Sequence, residues 1–155
     1  MLHTGSPAPS FELPDDSMEM IKLSSFRGKK NVVLYFYPKD DTPGCTIEAI
    51  DFSDHEADFA KHDTVVFGIS RDDVLSHAAF RDKHGLSVQL LSDSEDEVCR
   101  KYDVLEHRQI NGAVKCCFNR STFIIDKKGT LRHVLCNISP REHAHEVLKL
   151  VRQIN

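Results

Sequence analysis

No apolar run in this chain is long enough to cross a bilayer. The longest, centred on Val32 to Phe36, falls far short of the ~20 residues that a spanning helix needs. The stretch from Met1 to Phe11 lacks a basic segment followed by an apolar one, so no signal peptide is read there and the cytoplasm is the expected compartment. No dense basic cluster occurs. The formal net charge is -4, and the short group Arg27, Lys29 and Lys30 is expected at a turn or a solvated edge. That excludes the basic face or stripe a nucleic-acid footprint requires. Internal repeats and low-complexity segments are also missing.

Cysteine pairs of the C-x-x-C kind are absent, and the nine histidines carry no ligand-like partner pattern. No metal site is expected from this, and no flavin or haem is called for. The five cysteines are Cys45, Cys99, Cys116, Cys117 and Cys136. An odd count in a chain this long does not describe a disulfide scaffold. In a reducing compartment such cysteines serve as core filler, metal ligands or catalytic groups.

What the chain does have is an ordinary globular balance, with 40% apolar and 28% charged residues over 155 positions. Residues 1–155 are expected to form one domain, with a core that needs no staples. Pro7, Pro9 and Pro14 predict an extended N-terminal stretch with turns. Val32 to Tyr37 is β-branched, aromatic and continuously apolar, as a strand buried on both faces would be. A turn over Lys39 to Thr42 follows. The pattern then predicts a helix from Pro43 to Lys61, capped by Thr42, with Ile47, Ile50, Ala57 and Phe59 to Ala60 near helical spacing. Thr64 to Ser70 predicts a second strand. A helix over 72–84 closed by Gly85 comes next, then another over 94–102. Thr122 to Ile125 and Leu131 to Cys136 predict a hairpin turned by Lys127-Lys128-Gly129-Thr130. A final amphipathic helix over 140–154 would place Val147, Leu148, Val151 and Ile154 on one face. Parallel crossovers followed by an antiparallel hairpin imply an α/β fold. A mixed central sheet with helices on both faces is expected, compatible with a thioredoxin-like layout.

Cys45 falls in the first turn of the helix that follows the buried strand. Free N–H groups and the positive dipole end favour a thiolate there. The carboxyl end of a parallel strand is also where open α/β sheets place their sites. Such a thiolate could attack an electrophilic oxygen or a disulfide sulfur. The bland alternative is a small buried hydrophobe.

The spacing Pro38-x-x-x-Thr42-x-x-Cys45 resembles the active-site signature of peroxiredoxins. The run Tyr35 to Thr46, YFYPKDDTPGCT, resembles the Q-type branch, also called bacterioferritin comigratory protein. Asn119 to Asp126, NRSTFIID, is similar to that branch's second motif, and the likeness extends from Gly5 to the last helix. The resemblance implies a thioredoxin-like fold and reduction of hydrogen peroxide or organic hydroperoxides by Cys45, the peroxidatic cysteine. Thr42 would hydrogen-bond the peroxide and the thiolate, and Pro38 would shield the thiolate from water. Arg120 would donate to the same centre, stabilising charge on the departing oxygen, and Glu48 would orient Arg120. Each residue has a plainer alternative: Thr42 as a cap alone, Pro38 as a strand end, Arg120 as a surface residue, Glu48 as a solvated carboxylate.

Two positions depart from the branch's pattern. Many members carry a second cysteine five residues after the first, where this chain has Ile50. Others carry one in the following helix, and Phe80 to Lys83 contain none. A one-cysteine cycle is therefore favoured, in which an external thiol reduces the sulfenic acid. Thioredoxin or glutaredoxin is the donor implied by the resemblance, and a monomer is the implied state. Cys116 and Cys117, which precede Arg120 closely, remain candidates to act as an internal resolving thiol. Cys99 is expected in the core, and Cys136 at a strand end. Rival functions are a redox-responsive binding module and a disulfide reductase. The second would want a cysteine where Glu48 stands.

Overall fold

Alternate residues of one buried strand enter two different cores. In the computed structural model, Val33, Tyr35 and Tyr37 pack into one core, and Val32, Leu34 and Phe36 into the other. That is the period of two a strand imposes, and it explains why the run reads as continuously apolar. The structure describes residues 2–136 and 138–154, without the side chains of 106–110 and 113–117.

In chain order the elements are β1 (Glu12–Pro14), β2 (Met20–Lys22), a 3-10 turn (Leu23–Phe26), β3 (Asn31–Phe36), α1 (Pro43–Lys61), β4 (Thr64–Ser70) and α2 (Val74–His84). They continue with β5 (Gln89–Ser92), α3 (Glu97–Lys101), β6 (Leu105–Ile110), β7 (Ala113–Phe118), β8 (Ser121–Ile125), β9 (Leu131–Leu135) and α4 (His143–Ile154). The main sheet has five strands in the order β5-β4-β3-β8-β9. β3, β4 and β5 run parallel, whereas β8 is antiparallel to β3 and β9 to β8. The expected mixed sheet is thus present. One face is covered by residues of α1, α2 and α4, including Phe52, Phe59, Phe80 and Val147. The other is covered by Val98 and Cys99 of α3 with the N-terminal Phe11, Leu13 and Leu23.

α1 spans Pro43 to Lys61 as expected, with Thr42 as its cap and proline at the first position. Its inner face differs from the expectation. Ile47 and Ile50 are exposed at 40% and 39%, and Ala57 and Ala60 are exposed too. The buried positions are Cys45, Glu48, Ala49, Phe52 and Phe59. A carboxylate thus shares the core-facing side with Ala49, Phe52 and Phe59, while Ile47, Ile50, Ala57 and Ala60 lie on the outer side.

α2 ends at Gly85, whose φ of 63° is left-handed and suits glycine. α3 is shorter than the helix expected over 94–102. Asp96 has a left-handed φ of 60°, and the Asp93 carboxylate accepts the Val98 and Cys99 N–H groups, so the residues before Glu97 form a turn. α4 begins at His143 rather than 140 and buries Val147, Leu148 and Val151, with Ile154 partly buried against the same core.

Three features were not expected: the β1–β2 hairpin, the short edge strand β5, and the β6–β7 hairpin. The last turns at Asn111-Gly112, with φ of 52° and 79°. Positive φ at both turn residues is what Asn-Gly favours between hairpin strands.

Candidate active site

The site forms where β3 gives way to α1. Pro38 is exposed in the joining loop, and Tyr37 before it still donates its N–H to the Ile69 carbonyl. Thr42 is half-buried, and its hydroxyl oxygen accepts the Cys45 N–H at 3.4 Å. This is the capping bond that orphan donors of a first helical turn require. Thr46 returns a bond from its hydroxyl to the Thr42 carbonyl at 2.8 Å. Cys45 is 1% exposed, so its sulfur is sealed by burial, while Pro38 remains in solvent.

Arg120 arrives from the far end of the sequence. The antiparallel pairing of Phe36 with Ser121 brings the residue before β8 beside the carboxyl end of β3. One guanidinium nitrogen, Nη2, donates to Cys45 Sγ at 3.2 Å, and the other, Nη1, donates to Glu48 Oε1 at 2.7 Å. Glu48 stands one helical turn after Cys45 and is itself 1% exposed. Burial pushes its carboxyl up to about 7, with the Arg120 charge and hydrogen bond pulling down and Asp51 adding a smaller push upward. Its second oxygen has no hydrogen-bond partner among the described residues. The fork of Arg120 thus ties sulfur and carboxylate into one charged unit.

Other groups shape the site without being foreseeable from spacing. A Cβ on Gly44 would come within 3.4 Å of Pro140 Cγ and 3.5 Å of Arg120 Nη2, so glycine lets both close over the helix start. Tyr35 lies behind the sulfur, stacked on Phe52 with ring centres 4.5 Å apart. Burial, then the charges of Glu48 and Cys45, raise its phenol well above the ordinary value. It can lie there because its parallel partner on β4 is Gly68, where a Cβ would stand 2.6 Å from the phenol ring. His143 is buried, with Nε2 2.8 Å from the Thr122 hydroxyl. Burial and the charge of Arg120 lower its pKa to about 4, so it sits there as a neutral ring.

The remaining cysteines are distributed unequally. Cys99 is fully buried in the core on the opposite face of the sheet from Cys45, and burial, then Asp93, pushes its thiol far up. Cys136 is exposed at the end of β9, near Asn119 and Ser121. The side chains of Cys116 and Cys117 lie outside the described residues. A grouping of Asp40, Asp72 and His77, absent from any sequence pattern, has candidate ligand atoms within 4.8 Å of one another. All three already take part in protein hydrogen bonds. Among the described residues no helix is long and apolar enough to cross a membrane.

A buried thiol at a helix start, hydrogen-bonded by a guanidinium and backed by a carboxylate, defines a cysteine-based redox enzyme. The comparisons narrow that class. The AhpC/TSA family model matches residues 4–134. The putative peroxiredoxin Bcp of Coxiella burnetii is 42% identical over 147 residues, covering 95% of this chain and 97% of the relative. Peroxiredoxin Bcp of Bacillus subtilis is 40% identical over 154 residues, covering 99% and 98%. The solved bacterioferritin comigratory protein of Xanthomonas campestris, whose alkyl peroxide reduction activity was studied through trapped intermediate and ligand complexes, superposes with a TM-score of 0.90. It is 31% identical, with 93% and 91% of the two chains covered. The chain belongs to the AhpC/TSA family, in its Bcp or Q-type peroxiredoxin branch. Its fold is thioredoxin-like, and it is a thiol peroxidase. The binding-module and disulfide-reductase rivals give way to that activity.

Proposed function

We propose that Cys45 is the peroxidatic cysteine of a one-cysteine cycle acting on hydrogen peroxide and organic hydroperoxides, carried out by residues 1–155 as a single domain. The observation that carries it is the double donation of Arg120 to Cys45 Sγ and Glu48 Oε1. In the first step the Cys45 thiolate attacks the distal peroxide oxygen. A sulfur–oxygen bond forms, the oxygen–oxygen bond breaks with its electron pair on the leaving oxygen, and a proton from solvent completes water or an alcohol. Sulfur is oxidised to the sulfenic acid and the peroxide is reduced.

Arg120 faces the developing negative charge from a site where water is excluded, which strengthens its pull. Glu48 holds the guanidinium in register. The Thr42 hydroxyl, already turned to the first helical turn, is the donor for the bound peroxide, and Pro38 is the residue that limits water at the loop.

An external thiol then attacks the sulfenic sulfur, releasing water and leaving a mixed disulfide, which a second thiol reduces. Thioredoxin or glutaredoxin is the donor class proposed, the protein acting as a monomer in the cytoplasm. The burial of Cys99 behind the sheet supports the external route. Reduced protein given one equivalent of hydrogen peroxide, followed by intact-mass measurement, tests the scheme. A gain of one oxygen, missing in Cys45→Ser, is expected. A loss of two hydrogens would replace it with an internal disulfide, and peptide mapping would name the resolving residue.

A further inference from the structure

A second buried polar cluster grips the Cys45 loop from the side opposite Arg120. His77, near the start of α2, is fully buried. Its Nδ1 lies 2.7 Å from Asp40 Oδ2, and its Nε2 lies 2.9 Å from the Leu91 carbonyl oxygen. A carbonyl oxygen only accepts, so Nε2 carries a proton. The carboxylate on the other side also accepts, so a second proton bridges Nδ1 and Oδ2.

Asp40 accepts two further bonds, from the Tyr37 hydroxyl at 2.6 Å and the Ser76 hydroxyl at 2.8 Å. Its own backbone N–H donates to Asp72 Oδ2 at 2.8 Å, and that oxygen also accepts the Ser70 hydroxyl. The loop is thereby fastened to α2 and to the carboxyl ends of β4 and β5. The next residue, Asp41, has a left-handed φ of 62°. Its exposed carboxylate accepts from Lys83 Nζ at 2.6 Å and pairs with His84 Nε2 at 2.8 Å, in the last turn of α2. Thr42 and Cys45 follow directly. Two adjacent aspartates are held by the two ends of one helix, and the second sits in a conformation that needs holding.

We propose that Asp40 and His77 are positioning residues for the peroxidase step. Their proton-bridged pair fixes the loop so that the Thr42 hydroxyl and the first turn of α1 meet the peroxide in reactive geometry. Loss of the bridging proton frees the loop and slows the reaction. This assignment rests on Cys45 being the peroxidatic cysteine.

The direction of the pH effect follows from the surroundings of the ring. Facing His77 are Asp40 and Tyr37 from the β3 end, Asp72 and Ser76 from the α2 start, and the Leu91 carbonyl from β5. Burial disfavours the charged ring, but the hydrogen bond and charge of Asp40, with Leu91 and Asp72 assisting, outweigh it and raise the pKa. The contribution of the bridging proton is therefore complete below the ordinary value of ~6.5 and is lost as pH rises through the folded value. The loss falls on the alkaline side.

The test is the second-order rate of hydrogen peroxide reduction across pH, in the full chain and in D40A, H77A, H77N and C45S. The parent is expected to show an alkaline fall whose midpoint matches the titration of the His77 ring protons by nuclear magnetic resonance. D40A and H77A are expected to slow the reaction on the order of tenfold or more, as loss of positioning does. H77N places an amide that can donate to Asp40 and does not titrate. It is expected to keep most of the neutral-pH rate and to lack the alkaline fall. Parent rates in D40A and H77A, an alkaline fall retained in H77N, or a midpoint unrelated to His77 would each overturn the proposal. Should the alanine variants not fold, the H77N profile and the parent titration still decide it. With C45S inert in the same assay, a negative result falls on the Asp40–His77 pair alone.

Discussion

Arg120 touches the sulfur of Cys45 across 75 positions of sequence, at 3.2 Å. The contact exists because β8 lies antiparallel to β3, so the residue entering one strand meets the residue leaving the other. Its second nitrogen is occupied by Glu48. A lysine could serve one of these partners as a point charge but could not fork between both. Arg120→Lys is therefore expected to lower the rate of Cys45 oxidation by about 10²-fold or more, in the range seen when a preorganised donor is removed. Stopped-flow measurement with hydrogen peroxide checks this, and a rate within twofold of the parent would remove Arg120 from the reaction.

Glu48 leads to a prediction about stability. Its carboxyl is raised from 4.5 to about 7 by burial. Between those values the folded protein holds a proton that the unfolded chain has released, so this residue lowers stability as pH rises through that window. Glu48→Gln has no charge to bury and keeps an oxygen for Arg120. Its stability relative to the parent is expected to improve between about pH 5 and about pH 8, by on the order of 1–3 kcal/mol. Urea unfolding of both proteins at both pH values measures it, and a difference that does not move with pH would contradict it.

Tyr35 predicts a gain from a loss. Its hydroxyl is buried with no hydrogen-bond partner among the described residues. Removing an unsatisfied polar group while keeping the ring on Phe52 is expected to stabilise the fold, by about 1 kcal/mol. Tyr35→Phe should therefore unfold at a higher temperature. The companion change Gly68→Ala should do the reverse, because its Cβ would stand 2.6 Å from the same ring.

The cysteines should separate by reactivity in the reduced native protein. Cys136 is exposed, whereas Cys99 is buried with its thiol pushed far up. A bulky thiol reagent is expected to label Cys136 promptly and Cys99 only on unfolding. Mass mapping after brief labelling reads this directly. Early labelling of Cys99 would mean that the α3 side of the sheet opens easily.

Much of this architecture is written locally, and what is not local was not legible. β3 announces itself because each of its faces meets a core, and α1 because Thr42 and Pro43 mark its start. Helical spacing alone does not give the inner face of α1, because Glu48 takes a buried position with its bond to Arg120 while Ile47 and Ile50 lie outside. The β6–β7 hairpin carries an Asn-Gly signal, yet Glu106, His107, Arg108, Gln109 and Lys115 disguise its strands as polar loop. Cys45 at a helix start and Thr42 as its cap are legible from the local sequence, whereas the role of Thr42 towards peroxide came from resemblance. Arg120 and Glu48 came from resemblance. His77 and His143 were missed because their partners, Asp40 and Thr122, lie 37 and 21 residues away and no short pattern joins them.

The sheet between Cys45 and Cys99 also acts as insulation. The two sulfurs belong to cores on opposite faces, and β3 contributes side chains to both. They could meet only if a strand paired on both edges left its neighbours, which would dismantle the molecule's centre. An oxidising equivalent lodged at Cys45 therefore cannot drain inward to Cys99. On the proposed cycle it stays at the helix start until a thiol other than Cys99 reaches it.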